Sequence, residues 1–145
     1  MNMKRYLALL LVVLTMVCLG AVAYAEADES VGARSSNYFS TYGISLSKPG
    51  SNKIYITFSC SAVGTASQIG VSNYTIYRYD SDNGYWDLVS GPHDGSYSYN
   101  ASSHSFAKTF QGVSGEKYRV KCTFLCTKNN TTETKSYTSQ SIKLP

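Results

Sequence analysis

Two stretches of this 145-residue chain alternate strictly between apolar and polar side chains. The apolar positions of the first stretch, residues 54–62, are Ile54, Ile56, Phe58, Cys60 and Ala62. Those of the second stretch, residues 118–126, are Tyr118, Val120, Cys122, Phe124 and Cys126. Lys117, Arg119 and Lys121 occupy polar positions of that second pattern. Alternation with period two predicts β-strands that have one buried and one solvated face.

Clusters of Gly, Pro, Asn and Ser interrupt the alternation at short intervals. The strands predicted between them cover residues 42–47, 54–62, 74–79, 85–90, 96–100, 103–110, 118–126 and 133–144. The Asn83-Gly84 pair predicts a type I′ hairpin turn between the third and fourth strands. The polar last segment predicts an edge strand. The chain is therefore expected to be all-β, an antiparallel β-sandwich of about seven strands around one core.

The N-terminus has the parts of a secretory signal peptide. Lys4 and Arg5 precede an apolar run over residues 7–20, and residues 23–25 read Ala-Tyr-Ala. A positive start, a short apolar stretch and a small-x-small exit predict cleavage after Ala25. Residues 26–36 are then a flexible leader and residues 37–145 a single domain. No second apolar run approaches bilayer length, so we expect a secreted chain without a membrane span.

Charge and composition argue against several functional classes. The whole chain carries a net charge of +4, and loss of Lys4 and Arg5 leaves +2. The cations are scattered, so nucleic acid is not an expected partner. His93 and His104 lack close cysteine or acidic neighbours, and we expect both at the surface. No catalytic motif is present, so we expect no enzyme activity, no cofactor and no metal site.

Residues 106–124 resemble the corner between the fifth and sixth strands of a fibronectin type III or immunoglobulin-like domain. Phe110 precedes a glycine turn, and Tyr118 and Val120 begin the strand that follows it. The resemblance implies that the Tyr118 hydroxyl bonds back to nearby backbone as a corner tyrosine. Three features depart from the pattern: the turn lacks proline, its spacing is one residue short, and Trp86 lies on the fourth predicted strand.

A wider resemblance covers more than half of the mature chain. It rests on the motifs Arg34-Ser35-Ser36-x-Tyr38-Phe39-Ser40-x-Tyr42, Lys53-Ile54-x-Ile56-x-Phe58, Gly64-Thr65, Ile69-Gly70, Ile76-Tyr77 and Trp86-x-Leu88-Val89. With these motifs the chain resembles an uncharacterised family of small secreted proteins from Gram-positive gut bacteria. That resemblance implies secretion and a β-sandwich, and it implies no particular ligand.

Three cysteines remain after the expected cleavage: Cys60, Cys122 and Cys126. Four residues of one strand span about 13 Å, whereas the Cα atoms of a disulfide lie within about 7 Å. Cys122 and Cys126 therefore cannot bridge each other, and Cys60 is the shared partner. A Cys60–Cys122 bridge across the core matches the immunoglobulin resemblance. A Cys60–Cys126 bridge and three buried free thiols remain alternatives.

Tyrosines are the notable outward feature. If Ile76 and Trp86 face the core, Tyr77 and Tyr79 project outward with Tyr85 opposite them. Flat amphipathic rings on one sheet face suit sugar stacking or protein recognition. The alternative is a cross-strand ladder that only stabilises the sheet.

These observations predict a secreted, non-enzymatic binding or surface-interaction module whose partner is an extracellular glycan or protein. Two alternatives remain open. One is a small secreted effector or hydrolase, and the other is a structural component that assembles by edge-strand pairing.

Overall fold

The fold is all-β and antiparallel. The computed structural model describes residues 36–145, which contain strands and no helix. The strands are β1 (Phe39–Gly50), β2 (Lys53–Asp80), β3 (Tyr85–Gln111), β4 (Lys117–Lys128), β5 (Thr131–Thr138) and β6 (Ile142–Lys143). Within residues 36–145 there is thus no helix long and apolar enough to cross a bilayer. The expected signal peptide and all of the expected leader except Ser36 lie outside the described residues.

Two long strands connect the two halves of the sheet. Residues 53–62 of β2 lie between β1 and residues 103–111 of β3. Residues 68–80 of β2 pair with residues 85–99 of β3 on one side, and with β4 on the other. β5 pairs with β4, and β6 pairs with the first residues of β4. We call β1, residues 53–62 of β2 and residues 103–111 of β3 the first sheet half. The second sheet half consists of residues 68–80 of β2, residues 85–99 of β3, β4, β5 and β6.

The described residues form six strands, where about seven were expected, because the chain bends where turns were predicted. The second and third predicted strands are both parts of β2, and β3 also joins separate predicted strands. Gly64 and Asn100 have φ angles of 74° and 49° near these bends. The loop expected at residues 91–95 is an irregular part of β3, opposite the register shifts of β2 near Tyr74. Positive φ turns the chain without ending the ladder.

The hairpin between β2 and β3 also differs from its prediction. The strands pair as expected, but Asp80 opposes Tyr85, so the loop holds residues 81–84 rather than the Asn-Gly pair. Only Gly84 has positive φ there, at 73°. The Asp80 carboxylate accepts hydrogen bonds from the backbone N–H groups of Asp82 and Asn83. This side-chain capping stabilises a longer loop than a type I′ turn.

The core lies between the two sheet halves. The inward positions predicted for residues 54–62 and 118–126 are confirmed, since each of those ten side chains is buried. Phe58 in the first half contacts Tyr74 in the second half with ring centroids 4.9 Å apart. Tyr42 of β1 contacts Phe124 of β4 at 5.6 Å. The apolar faces of β2 and β4 therefore close one shared core.

The last predicted strand, residues 133–144, divides into two parts. β5 pairs with β4 and with no other strand, so it is an edge strand of the described sheet. β6 reaches the start of β4, and Leu144 beyond it is 1% exposed. At the other end of the domain, Ser36 was expected to belong to the flexible leader. Its hydroxyl instead donates a hydrogen bond to the Glu133 carboxylate at 2.9 Å.

Tyr118 lies at the corner that leads into β4. Its hydroxyl accepts a hydrogen bond from the Val113 backbone N–H at 2.9 Å. Its ring packs edge-on against Phe110, with centroids 5.5 Å apart. A Cβ atom on Gly112 would come within 3.0 Å of the Tyr118 ring and 2.5 Å of Leu144. The small residue at position 112 therefore allows the corner to close.

We expect Tyr118→Phe to lower the free energy of unfolding by about 1 kcal/mol, because the Val113 N–H loses its acceptor. Urea denaturation followed by circular dichroism measures this change. The matched control is Tyr85→Phe, since Tyr85 is 51% exposed and its hydroxyl loss should leave the midpoint unchanged. Equal midpoints for both variants would contradict a stabilising corner bond.

β2 and β3 approach each other closely at Gly70 and Gly95. A Cβ on Gly70 would lie 2.1 Å from the Ser96 carbonyl oxygen. A Cβ on Gly95 would lie 1.9 Å from the Val71 carbonyl oxygen. Both contacts are with backbone, which cannot rotate away as a flexible side chain would. The pairing of the long strands in the second sheet half therefore requires glycine at these positions.

Gly95→Ala should destabilise the protein by about 3 kcal/mol, since the added methyl group forces the backbones of β2 and β3 apart. Gly50→Ala is the control, because nothing lies within 4 Å of a Cβ built there. Thermal unfolding of both variants measures the difference. If the two melted at the same temperature, the close approach at Gly95 would be disproved.

Candidate functional site

The outward tyrosines lie on the second sheet half, together with a residue expected elsewhere. Ile76 faces the core at 3% exposure, as predicted, which places Tyr77 and Tyr79 on the outer face. The Trp86 ring lies 5.2 Å from the Tyr79 ring. The expectation that Trp86 faces the core is therefore wrong. Tyr85 precedes Trp86 in the strand and projects from the opposite face, so it does not join Tyr77 and Tyr79.

Two cations of β4 lie over these rings. The Arg119 guanidinium lies 4.2 Å from the Trp86 ring centroid and 5.9 Å from that of Tyr77. The Lys117 ammonium lies 5.5 Å from the Tyr79 ring and 5.8 Å from that of Trp86. We call these five residues, Tyr77, Tyr79, Trp86, Lys117 and Arg119, the aromatic–cation cluster.

Strand register assembles the cluster. Tyr77 lies opposite Arg119 of β4, and Tyr79 lies opposite Trp86 of β3. Because β2 is central in this half of the sheet, its outward rings meet side chains from both neighbouring strands. The outward direction of Lys117 and Arg119 follows from the alternation in β4. Their position beside the tyrosines depends on long-range strand pairing, for which the local sequence contains no signal.

The cluster exposes charge more than open rings. Tyr77, Tyr79 and Trp86 are each only partly exposed, and the cations cover part of their surface. Each close cation–π contact contributes about 0.5–1 kcal/mol at an exposed site. The Trp86 indole Nε1 is buried and has no hydrogen-bond partner in the described part of the chain. The rings therefore lie between the cations and the sheet, and their contacts with the cations restrict where the cations can be.

The lysines of this face make no ion pair with another described residue. In residues 36–145 the single ion pair joins Lys135 to Glu133, at 2.8 Å. Lys117 and Lys121 are both exposed. By register, Asp94 is the acidic residue that shares this face, opposite Asn73 and farther along β2. The rest of the face on β2, β4 and β5 is rich in hydroxyl groups, from Thr75, Thr123, Thr127, Thr132, Thr134, Ser136 and Thr138.

The two histidines differ in environment. His93 is exposed, as expected, and its Nε2 lies 2.8 Å from the Ser90 hydroxyl. His104 is 9% exposed, so its expected surface position is wrong. Burial lowers the pKa of His104, and its Nδ1 lies 2.9 Å from the Ser98 hydroxyl. No group of three or more His, Cys, Asp or Glu residues in the described range is placed to hold a metal ion.

The expected disulfide is absent. Cys60, Cys122 and Cys126 are free and buried, so neither the Cys60–Cys122 bridge nor the Cys60–Cys126 alternative is present. All three thiols fill apolar positions as small hydrophobic side chains. Burial, with a smaller contribution from Cys126, raises the pKa of Cys60 to about 12. Burial and the neighbouring Cys60 also raise the pKa of Cys122.

Edge-strand pairing was the third functional alternative, and the sheet has long edges. β3 pairs with β2 and with no other strand across its 27 residues. The register shifts near Tyr74 and the positive φ values of Gly91 and Asn100 interrupt the regularity of that edge. Such irregularities reduce strand addition by another chain.

Comparison of the chain with protein-family models, with curated proteins and with solved structures finds no match.

We expect Cys60, Cys122 and Cys126 to resist alkylation in the native protein at neutral pH, because buried thiols with raised pKa values contain almost no thiolate. In urea without reductant, all three should react with iodoacetamide. Peptide mapping by mass spectrometry measures each site separately. Any pair that reacts only after reduction would demonstrate a disulfide and contradict the free-thiol structure.

Proposed function

We propose that this chain is a secreted, non-enzymatic binding module that recognises an extracellular partner through the outer face of its second sheet half. The signal-peptide pattern of residues 1–25 supports secretion. The aromatic–cation cluster is the observation on which the proposal rests. It places large rings and two cations together on a solvent-facing sheet surface. Such surfaces offer contact area at low cost in side-chain entropy.

We further propose that the domain is an immunoglobulin or fibronectin type III-like β-sandwich. Dividing β2 and β3 at their bends yields seven segments together with β1, β4 and β5. One group then contains β1, residues 53–62 of β2 and residues 103–111 of β3. The other group contains residues 85–99 of β3, residues 68–80 of β2, β4 and β5. Three antiparallel segments in one group and four in the other support a two-sheet sandwich of this class. The Tyr118–Val113 hydrogen bond at the corner supports the same assignment.

The non-enzymatic assignment is supported by the contacts that the charged groups of the cluster make. The cations of the cluster lie over aromatic rings. Acid–base or nucleophilic catalysis instead requires a nucleophile, a base and an orienting group in mutual hydrogen-bond contact. The geometry of the cluster suits recognition of a partner by charge and surface contact.

The double variant Tyr77→Ser/Tyr79→Ser should lose partner binding, since it removes rings that support Lys117 and Arg119. Glycan arrays and pull-downs from envelope and host extracts measure the loss against the unmodified protein. Both side chains project away from the core, so circular dichroism should report an unchanged fold.

The matched control is Tyr55→Ser/Tyr85→Ser, which removes two other partly exposed tyrosines, at 43% and 51% exposure. Neither belongs to the aromatic–cation cluster, so this variant should bind like the unmodified protein. Binding that survives in the Tyr77/Tyr79 variant, or that falls equally in both double variants, would refute the proposed face.

A further inference from the structure

The outer face of β4 carries a row of cations. Lys117, Arg119 and Lys121 occupy alternate positions of one strand and therefore point the same way. Neighbouring members of the row are about 6.6 Å apart along the strand, and the row spans about 13 Å. Lys117 and Lys121 are exposed and make no ion pair within residues 36–145. The row therefore presents positive charge at regular spacing to an outside partner.

Cation–π contacts hold the first part of this row in place. Lys117 and Arg119 lie over the rings of Tyr79 and Trp86. A lysine that is already ordered loses less conformational entropy when an anion binds. The positive charge of the exposed lysines on this surface selects an anionic partner by charge complementarity.

β4 is an internal strand, which decides how a partner can bind there. Along the row its backbone pairs with β2 on one side, and on the other with β6 at Lys117 and Tyr118 and with β5 from Lys121 onward. Between these two strands the Ser139 N–H donates a hydrogen bond to the Val120 carbonyl. An extended peptide cannot add to β4 by backbone pairing, because the hydrogen-bonding groups on both of its sides are occupied. A partner at this row must be recognised by side chains only.

The chemistry around the row suits a hydroxyl-rich polymer. Threonine and serine hydroxyls on β5 continue this face from the end of the row, with Thr138 opposite Lys121 and with Ser136, Thr134 and Thr132 opposite the β4 residues that follow it. Hydroxyl groups both donate and accept hydrogen bonds, as sugar hydroxyls do. Leu88, opposite Tyr77, is the large exposed apolar residue that register places beside the cluster, and the exposed Tyr99 lies farther along the same face, opposite Gln68. A protein partner would require more apolar anchoring area than this.

We propose that the row binds a linear anionic polysaccharide lying along β4, with Lys117 and Lys121 pairing with its carboxylate or sulfate groups. The inference rests on the binding function proposed above, and it specifies the class of ligand. Arg119 lies between the two lysines on β4, and its contact with the Trp86 ring helps to position the row.

Isothermal titration calorimetry with four polymers tests this inference: polygalacturonate, dextran sulfate, neutral dextran and poly-glutamate. We expect binding to one or both of the anionic polysaccharides and none to dextran. The first two polymers separate carboxylate from sulfate as the recognised group. Raising the ionic strength from about 0.1 M to about 1 M shortens the Debye length from about 10 Å to about 3 Å and should weaken binding strongly.

The decisive variant is Lys117→Gln/Lys121→Gln, which should weaken polysaccharide binding about tenfold, the size expected for two exposed charge pairs. Lys53→Gln/Lys108→Gln is the matched control, because both residues are exposed and belong to the first sheet half. It lowers net charge by the same amount and should retain full affinity. An equal loss in both variants would show that net charge, and not the row, attracts the polymer.

The remaining outcomes separate this inference from the proposed function. Equal affinity for dextran and for the anionic polysaccharides would overturn the anionic class and leave the binding module intact. Poly-glutamate binding as tight as that of the polysaccharides would replace the glycan with an acidic protein. If none of the polymers bound, the inference would be wrong. The binding module would still stand if the Tyr77→Ser/Tyr79→Ser variant lost a partner found by array or pull-down.

Discussion

The shared use of β2 by both sheet halves is the constraint on which the rest of the structure depends. Its residues Ile54, Ile56 and Phe58 cover the first half, and Ile69 and Val71 cover the second. The chain must bend between them so that both apolar faces reach one core. Because successive residues of a strand point to opposite faces, burial of one side chain places the next side chain on the outer face. Burial of Ile76 therefore places Tyr77 on the surface, and core packing determines the geometry of the candidate site.

The sequence predicts local strand structure far better than strand continuity. Residues 54–62 and 118–126 alternate strictly, and their inward faces are buried as expected. Gly64 and the glycines of residues 91–95 have the composition of turns, yet the ladder continues through both regions. Gly permits positive φ in a tight turn and in a bend alike. Only pairing with a distant strand distinguishes the two, and local composition contains no information about that partner.

The placement of Trp86 was available from the sequence and was missed. The observed loop pairs Tyr79 with Trp86. A two-residue Asn83-Gly84 turn would pair Tyr79 with Leu88 instead. Both registers place the even-numbered residues at the start of β3 on the same face as Tyr79, so Trp86 is outward in either case. The indole is instead partly buried on the outer face, beneath Arg119.

The long edge of β3 and the outer face of β4 are two surfaces through which a partner could bind, and the structure disfavours the first of them. The long edge of β3 offers unpaired backbone, but positive φ at Gly91 and Asn100 and the register shifts near Tyr74 disrupt its regularity. The outer face of β4 offers no free backbone, since strands flank it on both sides. It offers side chains held in fixed positions by aromatic contacts. Recognition by side-chain charge therefore requires no rearrangement of the sheet, whereas strand addition at β3 would first have to straighten its irregular edge.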